Sequence, residues 1–585
     1  MRSLLLSRRD LDFLLHDWLD VTALTTRERY AEHSRETFDA VLDLSERVAT
    51  EHFAPHNRTA DAHEPQFDGE RVHLIPEVAK ALEVFAGTGI TSAAMDSSVG
   101  GMQLPQSVAQ ACFLWFQAAN VGTAAYPFLT IANANLLLAH GSPEQIETWV
   151  GPMLDGRYLG TMCLSEPQAG SSLADVTTRA EPRDDGTYRL FGNKMWISGG
   201  DHDLSENIVH LVLAKIPGGP AGVKGISLFI VPKVLTSGDH NDVVLAGVNH
   251  KMGYRGTVNT LLNFGEGRYR PGDEPGAVGY LVGEQHRGLA YMFHMMNEAR
   301  VGVGGGAAAL GYTGYLHSVD YARTRVQGRR DGKPVAIVEH PDVARMLLAQ
   351  KSYAEGAVAL ILYCARLLDE ERTAATDDER ARALLLLDVL TPIAKSWPSQ
   401  WCLAANDLAI QVHGGYGYTR EYAVEQFWRD NRLNMIHEGT HGIQGLDLLG
   451  RKVVMDDGAG LRLLLETMSA TLAPARAAGL DRYGDELAAA ITRTGEVTAA
   501  LWAAGDPAVT LANSSTYLEA VGHVVVAWIW LEQLVAVGER DGDFYAGKRA
   551  AAAYFFRHEL PRTGPQFALL ESLDRTTLDV RPEIL

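Results

Sequence analysis

Gln411-Val-His-Gly-Gly-Tyr-Gly-Tyr418 and, beyond it, Ile436-His-Glu-Gly-Thr-His441 are the stretches that decide how this chain is read, with Glu438 standing 27 residues after Gln411. The second stretch satisfies His-Glu-x-x-His, which on a helix would set two imidazoles on one face for zinc with the glutamate as base. Gly439 and Thr440 are poor interior helix residues, and no third ligand stands at a familiar spacing, so the zinc reading is rejected. What remains is a carboxylate in a loop, and its surroundings decide what it is for.

Around it, from about 285 to 452, long Ala/Leu/Met segments such as His340 to Leu368 and Arg380 to Ile410 have the lengths and short polar breaks of an antiparallel helix bundle. Upstream, from about 156 to 270, the texture is different. Tyr188-Arg-Leu-Phe, Ile208 to Ala214, Ile226 to Val231 and Thr257 to Phe264 are short β-type runs separated by Gly, Pro, Asp and Asn. Residues 1 to about 155 are rich in Ala, Leu, Glu and Arg, with helical spacing at Phe38, Val41, Leu42, Leu44 and Val48. After Arg451-Lys452 the chain stays helical in character, with loop signals at Asp456-Asp-Gly458 and Gly505-Asp-Pro507. The expected organisation is an N-terminal α-helical domain (1–158), a central β domain (159–282), a four-helix bundle (283–452) and an appended α-helical domain (453–585). No fixed-period repeat is present.

Composition narrows the function classes. The 52 basic and 72 acidic side chains give a net charge of −20, which opposes binding to phosphate backbones and to anionic membranes. Cys112, Cys163, Cys364 and Cys402 are far apart with no Cys-x-x-Cys, so a disulfide framework is not expected and a reducing cytoplasm fits. The start has only three consecutive leucines before charge returns, too short for a signal-peptide apolar region. The apolar run Val524 to Leu531 falls well short of the ~20 residues that span a bilayer and reads as a buried helix.

Two stretches of the β region carry candidate binding chemistry. Thr161-Met-Cys-Leu-Ser-Glu-Pro-Gln-Ala-Gly-Ser-Ser172 turns through Pro167 and Gly170, exposing N–H groups and hydroxyls that can hold a flat polar ring; taken alone it is more readily a plain polar turn. Lys194-Met-Trp-Ile-Ser-Gly-Gly200 places an aromatic plane, Trp196, and a hydroxyl, Ser198, on one side of a strand. Farther on, Gly302-Val-Gly-Gly-Gly-Ala307 fits a dinucleotide-binding pattern. It follows no strand and opens no βαβ unit, so small residues that let helices approach closely are the better reading.

The order helices, Glu-Pro-x-Ala-Gly-Ser, Trp-Ile-Ser-Gly-Gly, Lys-Met-Gly, Asn-Glu-Ala-Arg, Gly-Gly-Tyr-Gly and Glu-Gly-Thr resembles the acyl-CoA dehydrogenase family over about residues 40 to 452. With residues 437–452 and the tail, the chain is most similar to that family's long bacterial branch of broad-range fatty acyl-CoA and methylthiopropanoyl-CoA dehydrogenases. The resemblance implies an FAD enzyme in which Glu438 takes the α-proton of an acyl-CoA while the β-hydride passes to flavin N5. It implies that Met162, Leu164 and Ser165 contact the isoalloxazine, that Trp196 and Ser198 form its other wall, and that Thr440 touches the cofactor. Ser171 and Arg300 match substrate contacts, and the backbone of the base region at Glu438 and Gly439 matches a donor to the thioester oxygen. Arg325, Gln411 and Gly415 match positions that reach the FAD of a neighbouring subunit, implying a dimer or tetramer. Electron-transfer flavoprotein is the implied electron acceptor.

The chain departs from the family pattern at several points. Arg325-Val-Gln-Gly-Arg-Arg-Asp-Gly-Lys333 replaces Arg-x-x-Phe-Gly, so the aromatic neighbour of Arg325 is missing; Ser172 stands for Asp, His437 for Tyr and Gly442 for Gln. The competing expectations are an acyl-CoA oxidase of the same fold and a non-catalytic DNA-protecting flavoprotein. The mixed charge of residues 453–585 opposes the latter. Phe113, Trp115, Phe116, Tyr126 and Phe128 are expected in the core rather than shortening an acyl pocket.

Overall fold

In the computed structural model, which describes residues 3–585 apart from the side chains of His294, Met296 and Asn297, the β texture of the middle third becomes one sheet. Met1-Arg2 of the chain start and Asn297 of Asn-Glu-Ala-Arg lie outside the described residues. The eight strands are β1 (Tyr158–Cys163), β2 (Arg179–Pro182), β3 (Tyr188–Ser198), β4 (Asn207–Lys215), β5 (Ile226–Pro232), β6 (Val243–Val248), β7 (Asn259–Phe264) and β8 (Ala277–Leu281). Their order is β8-β5-β4-β2-β3-β7-β6, with β1 parallel to β4. Because β8 pairs with both β5 and β3, the sheet closes on itself and leaves no free edge there.

The near-continuous apolar runs of β4 and β5 follow from burial on both faces. Val209, Leu211 and Leu213 pack in one cluster with Leu136, Leu137 and Trp149. Val212 and Ala214 point the other way, into a cluster with Leu190, Phe229 and Leu262.

Contacts divide the chain into two compact units, one of residues 36–104 and 115–299, the other of residues 1–35, 105–114 and 300–585. The β sheet lies in the first. Within the second are the bundle helices Pro341–Thr373, Asp377–His413 and Val424–Arg432 and the C-terminal part of Gly288–Thr324. Gly304 and Gly311 explain the glycine-rich stretch: a Cβ at Gly304 would lie 2.0 Å from the Ala394 carbonyl oxygen and one at Gly311 2.6 Å from Cys402 Cβ. The close-approach reading therefore holds, and Pro398, which has no N–H to give the Ala394 carbonyl, sits at the same contact.

Residues 1–35, expected with the first helical domain, belong to the second unit. Lys548 joins them to the tail and bundle, its Nζ lying 2.5 Å from Asp10 and 2.9 Å from Glu355. The Tyr30 hydroxyl donates to Asp369 at 2.9 Å. The tail helix Ser514–Val537 carries the long apolar run, and it and Gln106–His140 are long and apolar enough to cross a membrane. Of their most apolar windows, 83% and 67% are buried within the protein, as core helices are. Phe113, Trp115, Phe116 and Tyr126 are buried and Phe128 half-buried, and all four cysteines are free and buried.

One element departs from the all-helical expectation for 283–452. Val326–Arg330 and Lys333–Ala336 form an antiparallel hairpin. Its turn, Asp331-Gly332, has φ of 50° and 79°, the left-handed pair that suits the twist of a two-residue hairpin loop.

Candidate active site

Glu438 sits where two helical segments fail to join. The 3-10 turn Leu433–Met435 ends at Ile436, and helix His441–Asp447 begins with Thr440 as N-cap, its hydroxyl accepting from Ile443 N at 3.4 Å. Between them Glu438 and Gly439 have φ of 53° and 87°. A glutamate in the left-handed region is uncommon and persists only where its surroundings hold it. This break also removes the helical face that His437 and His441 would need to share a zinc ion.

Several buried groups hold the loop. Lys395 Nζ donates to the Asn434 and Gly439 carbonyls, at 2.7 Å each, and Gln444 Nε2 donates to the Glu438 carbonyl at 3.0 Å. Behind them runs a chain of buried amides. Asn406 donates to Leu310 O at 2.9 Å, Asn431 to Asn406 Oδ1 at 2.7 Å, and Asn434 to Asn431 Oδ1 at 3.0 Å. His437 Nε2 ends the chain 3.0 Å from Asn434 Oδ1. Since that oxygen can only accept, the imidazole carries its proton on Nε2. Burial and then the Lys395 charge push the His437 pKa down to about 3, so the ring is neutral at neutral pH. His437 is thus a neutral anchor of the loop.

Burial raises the pKa of Glu438, and the charges of Lys395 and Arg300 pull against that rise. The balance yields a carboxyl group that is more basic than an exposed glutamate yet still favoured as an anion by two cations. Arg300 is itself buried and bonded to Asp447 at 2.9 Å.

In the other unit, the turn after β1 is built on a buried glutamate. Glu166 accepts from Thr177 N and Oγ1 at 2.7 and 2.8 Å, from Thr178 N and Oγ1 at 3.0 and 2.5 Å, from Gln168 at 2.7 Å and from Lys194 Nζ at 3.0 Å. Burial alone would raise its pKa, but the Lys194 charge and the Thr177 and Thr178 donors outweigh it and hold Glu166 at about 2. Lys194 also donates to Leu164 O at 2.9 Å, and Met195 N to Ser165 O at 3.0 Å, so turn and strand are locked together.

Two residues on, a bulge between Lys194 and Ile197 puts Trp196 at φ 66° and leaves it 59% exposed. An indole held outward by a left-handed bulge, on the strand that carries half-buried Ser198 and is bonded to the turn of half-buried Leu164 and Ser165, is a surface suited to a flat polar ring; Ser171, farther along that turn, is exposed. Met162 is buried in the core cluster with Leu211 and Trp149, and half-buried Leu164 packs against the same cluster.

The structure also brings together Arg325, Gln411 and Gly415. The Arg325 guanidinium lies 5.6 Å from the Tyr416 ring centroid, so the aromatic neighbour absent from the sequence after Arg325 is supplied by the Gly414–Tyr418 turn. A Cβ at Gly414 or Gly415 would meet nothing within 4 Å. Among the described residues Arg325 has no carboxylate partner, and an unneutralised guanidinium beside an open glycine turn suits a phosphate. Sequence reasoning missed Lys395, Asp447, the three asparagines, the Glu166–Lys194 pair and Tyr416. The available signal was Lys395, a lone charge between Pro392 and Pro398 in an otherwise apolar stretch.

The chain matches known proteins along most of its length. Four family profiles match in order: acyl-CoA dehydrogenase N-terminal domain at residues 35–157, middle domain at 161–266, C-terminal domain at 286–453, and acetyl-CoA dehydrogenase C-terminal like at 464–581. The 3-methylmercaptopropionyl-CoA dehydrogenase of Ruegeria pomeroyi is 35% identical, over 93% of this chain and 94% of its own. A broad-specificity linear acyl-CoA dehydrogenase of Mycobacterium tuberculosis is 32% identical, over 96% of this chain and 95% of its own. An acyl-CoA dehydrogenase of Bacillus anthracis complexed with FAD shares the fold, with a TM-score of 0.62 at 20% identity over 93% of this chain and 96% of that one. The chain belongs to the acyl-CoA dehydrogenase family, a family of oxidoreductases, in its long form with an additional C-terminal helical domain.

Proposed function

We propose that this protein is an FAD-dependent acyl-CoA dehydrogenase that converts an acyl-CoA thioester to the trans-2-enoyl-CoA, with Glu438 removing the α-proton. The observation that carries the reading is the half-buried carboxylate on its left-handed loop, its basicity raised by desolvation and moderated by Lys395 and Arg300. A carboxylate whose pKa is raised towards the working pH serves proton transfer better than an ordinary one does. The α-proton of a thioester is nevertheless far too weakly acidic for a carboxylate alone, so the backbone N–H of the base region, at Glu438 and Gly439, stabilises the enolate oxygen. Bound FAD supplies the acceptor for the β-hydride.

Leu164, Ser165, Trp196 and Ser198 hold the isoalloxazine, with Met162 contributing through its backbone, and Thr440 contacts the cofactor. Ser171 and Arg300 bind the CoA chain. Arg325, Gln411 and Gly415 serve the FAD of a second copy, so the working form is a homo-oligomer, and electron-transfer flavoprotein takes the electrons in the cytoplasm. The functional divisions fall at residues 158, 282 and 452. Trp196→Ala is expected to lower FAD retention after gel filtration while leaving the fold intact; full retention with unchanged activity would make Trp196 ordinary packing.

The deciding experiment is anaerobic mixing with acyl-CoAs of increasing length and with branched and methylthio variants. Bleaching of the visible flavin band by one class establishes the half-reaction and names the substrate. Yellow protein that no thioester bleaches overturns the reading.

A further inference from the structure

Among the described residues four lysines are fully buried: Lys194, Lys395, Lys452 and Lys548. Three have a carboxylate within ion-pair distance, Glu166 at 3.0 Å, Asp388 at 2.7 Å and Asp10 at 2.5 Å respectively. Among the described residues Lys395 has none. Its hydrogen bonds go to two backbone carbonyls, those of Asn434 and Gly439, which bracket the segment carrying Glu438. An ammonium buried without a directly bonded counter-charge is costly, and replacing it with an apolar side chain would remove that cost. A purely structural role does not account for its position.

We propose that Lys395 is a positioning residue for proton abstraction: it clamps the left-handed loop from both sides and keeps a positive charge beside Glu438, thereby setting the direction and the proton affinity of the base. The inference rests on the reading of Glu438 as the base. The charged and titratable groups facing Lys395 are Glu438 and His437 of the loop, His441 at the next helix start and Arg300 of the first bundle helix, with Asp447 on Arg300 and Glu519 near His441. Burial lowers the Lys395 pKa, Glu438 opposes that fall and Arg300 adds to it, and together they bring it down to about 7. Its charge is therefore sensitive to pH in the working range. The sign on Glu438 is clear: a neighbouring cation favours the carboxylate, so removing it raises the pKa of the base and moves the acidic limb of the rate profile to higher pH.

The test compares Lys395→Met, Lys395→Arg and Glu438→Gln holoenzymes by anaerobic flavin reduction across the pH range, with binding of a non-oxidisable acyl thioether of CoA as a second readout. Lys395→Met is expected to move the acidic limb up by about one unit or more and to slow reduction roughly 10-fold or more at neutral pH, with analogue binding retained. Lys395→Arg keeps the charge but not the paired carbonyl contacts, so the limb stays and the rate falls. That variant also decides the case if Lys395→Met does not fold: an acidic limb displaced in Lys395→Arg overturns the electrostatic role. A wild-type rate and unmoved limb in Lys395→Met, with Glu438→Gln inert, overturn the inference alone. Full reduction by Glu438→Gln overturns the assignment of the base instead.

Discussion

Glu438→Gln is expected to bind FAD and acyl-CoA as the wild type does and to lose flavin reduction by a factor on the order of 10⁴, the upper range for loss of a positioned general base. The amide fills the same space on the same loop, whose conformation is held by Lys395, Gln444 and the asparagine chain rather than by the carboxylate. It cannot accept the α-proton. Stopped-flow absorbance separates the two effects, since a normal flavin spectrum and normal analogue binding with no bleaching isolate the proton-transfer step. In the wild type the rate rises with pH as Glu438 deprotonates, and the limb lies above the ordinary glutamate range because burial raises the pKa. Reduction by the glutamine variant at more than a trace of the wild-type rate would remove Glu438 from this role.

The second large effect is expected at Glu166. Glu166→Ala leaves Lys194, which is fully buried, without its carboxylate and deprives Thr177 and Thr178 of their acceptor. Stripping one partner from a buried ion pair costs ~3–5 kcal/mol. Because the same pair fixes Leu164, Ser165 and the strand leading to Trp196, FAD retention should fall with stability. Lys194→Met should be milder, since the Glu166 carboxylate keeps its donors from Thr177, Thr178 and Gln168. Denaturant midpoints of the two apoproteins and flavin content after gel filtration measure this asymmetry, and equal losses would contradict it. The pH dependence has a definite sign. A depressed Glu166 pKa makes the pair's contribution complete above the ordinary glutamate range and lost as pH falls towards about 2.

Local chemistry made much of the fold legible. The runs at Tyr188, Ile208, Ile226 and Thr257 became strands because they carry β-branched and aromatic residues between turn residues. Arg179–Pro182, Val243–Val248 and Ala277–Leu281 were harder to see. Two of them are short, and the pairing of Ala277–Leu281 with strands distant in sequence is what makes it a strand. The Asp331-Gly332 hairpin was legible in principle but lay inside a region read as helical.

The order of motifs along the chain determined, without any structure, the family, the arrangement of helices and sheet, and Glu438 as the residue to examine. Gly439 and Thr440 alone disfavoured a helix through it. Only the tertiary structure decided what the glutamate experiences. Lys395 reaches Asn434 and Gly439 from a helix position 39 and 44 residues earlier in the chain, and Tyr416 reaches Arg325 from a turn far along the chain. The bulge that turns Trp196 outward comes from the mismatch between two strands rather than from either strand. Local propensity is a property of neighbours in sequence. Basicity, burial and strain are properties of neighbours in space, and these are set by contacts that one segment's sequence does not encode.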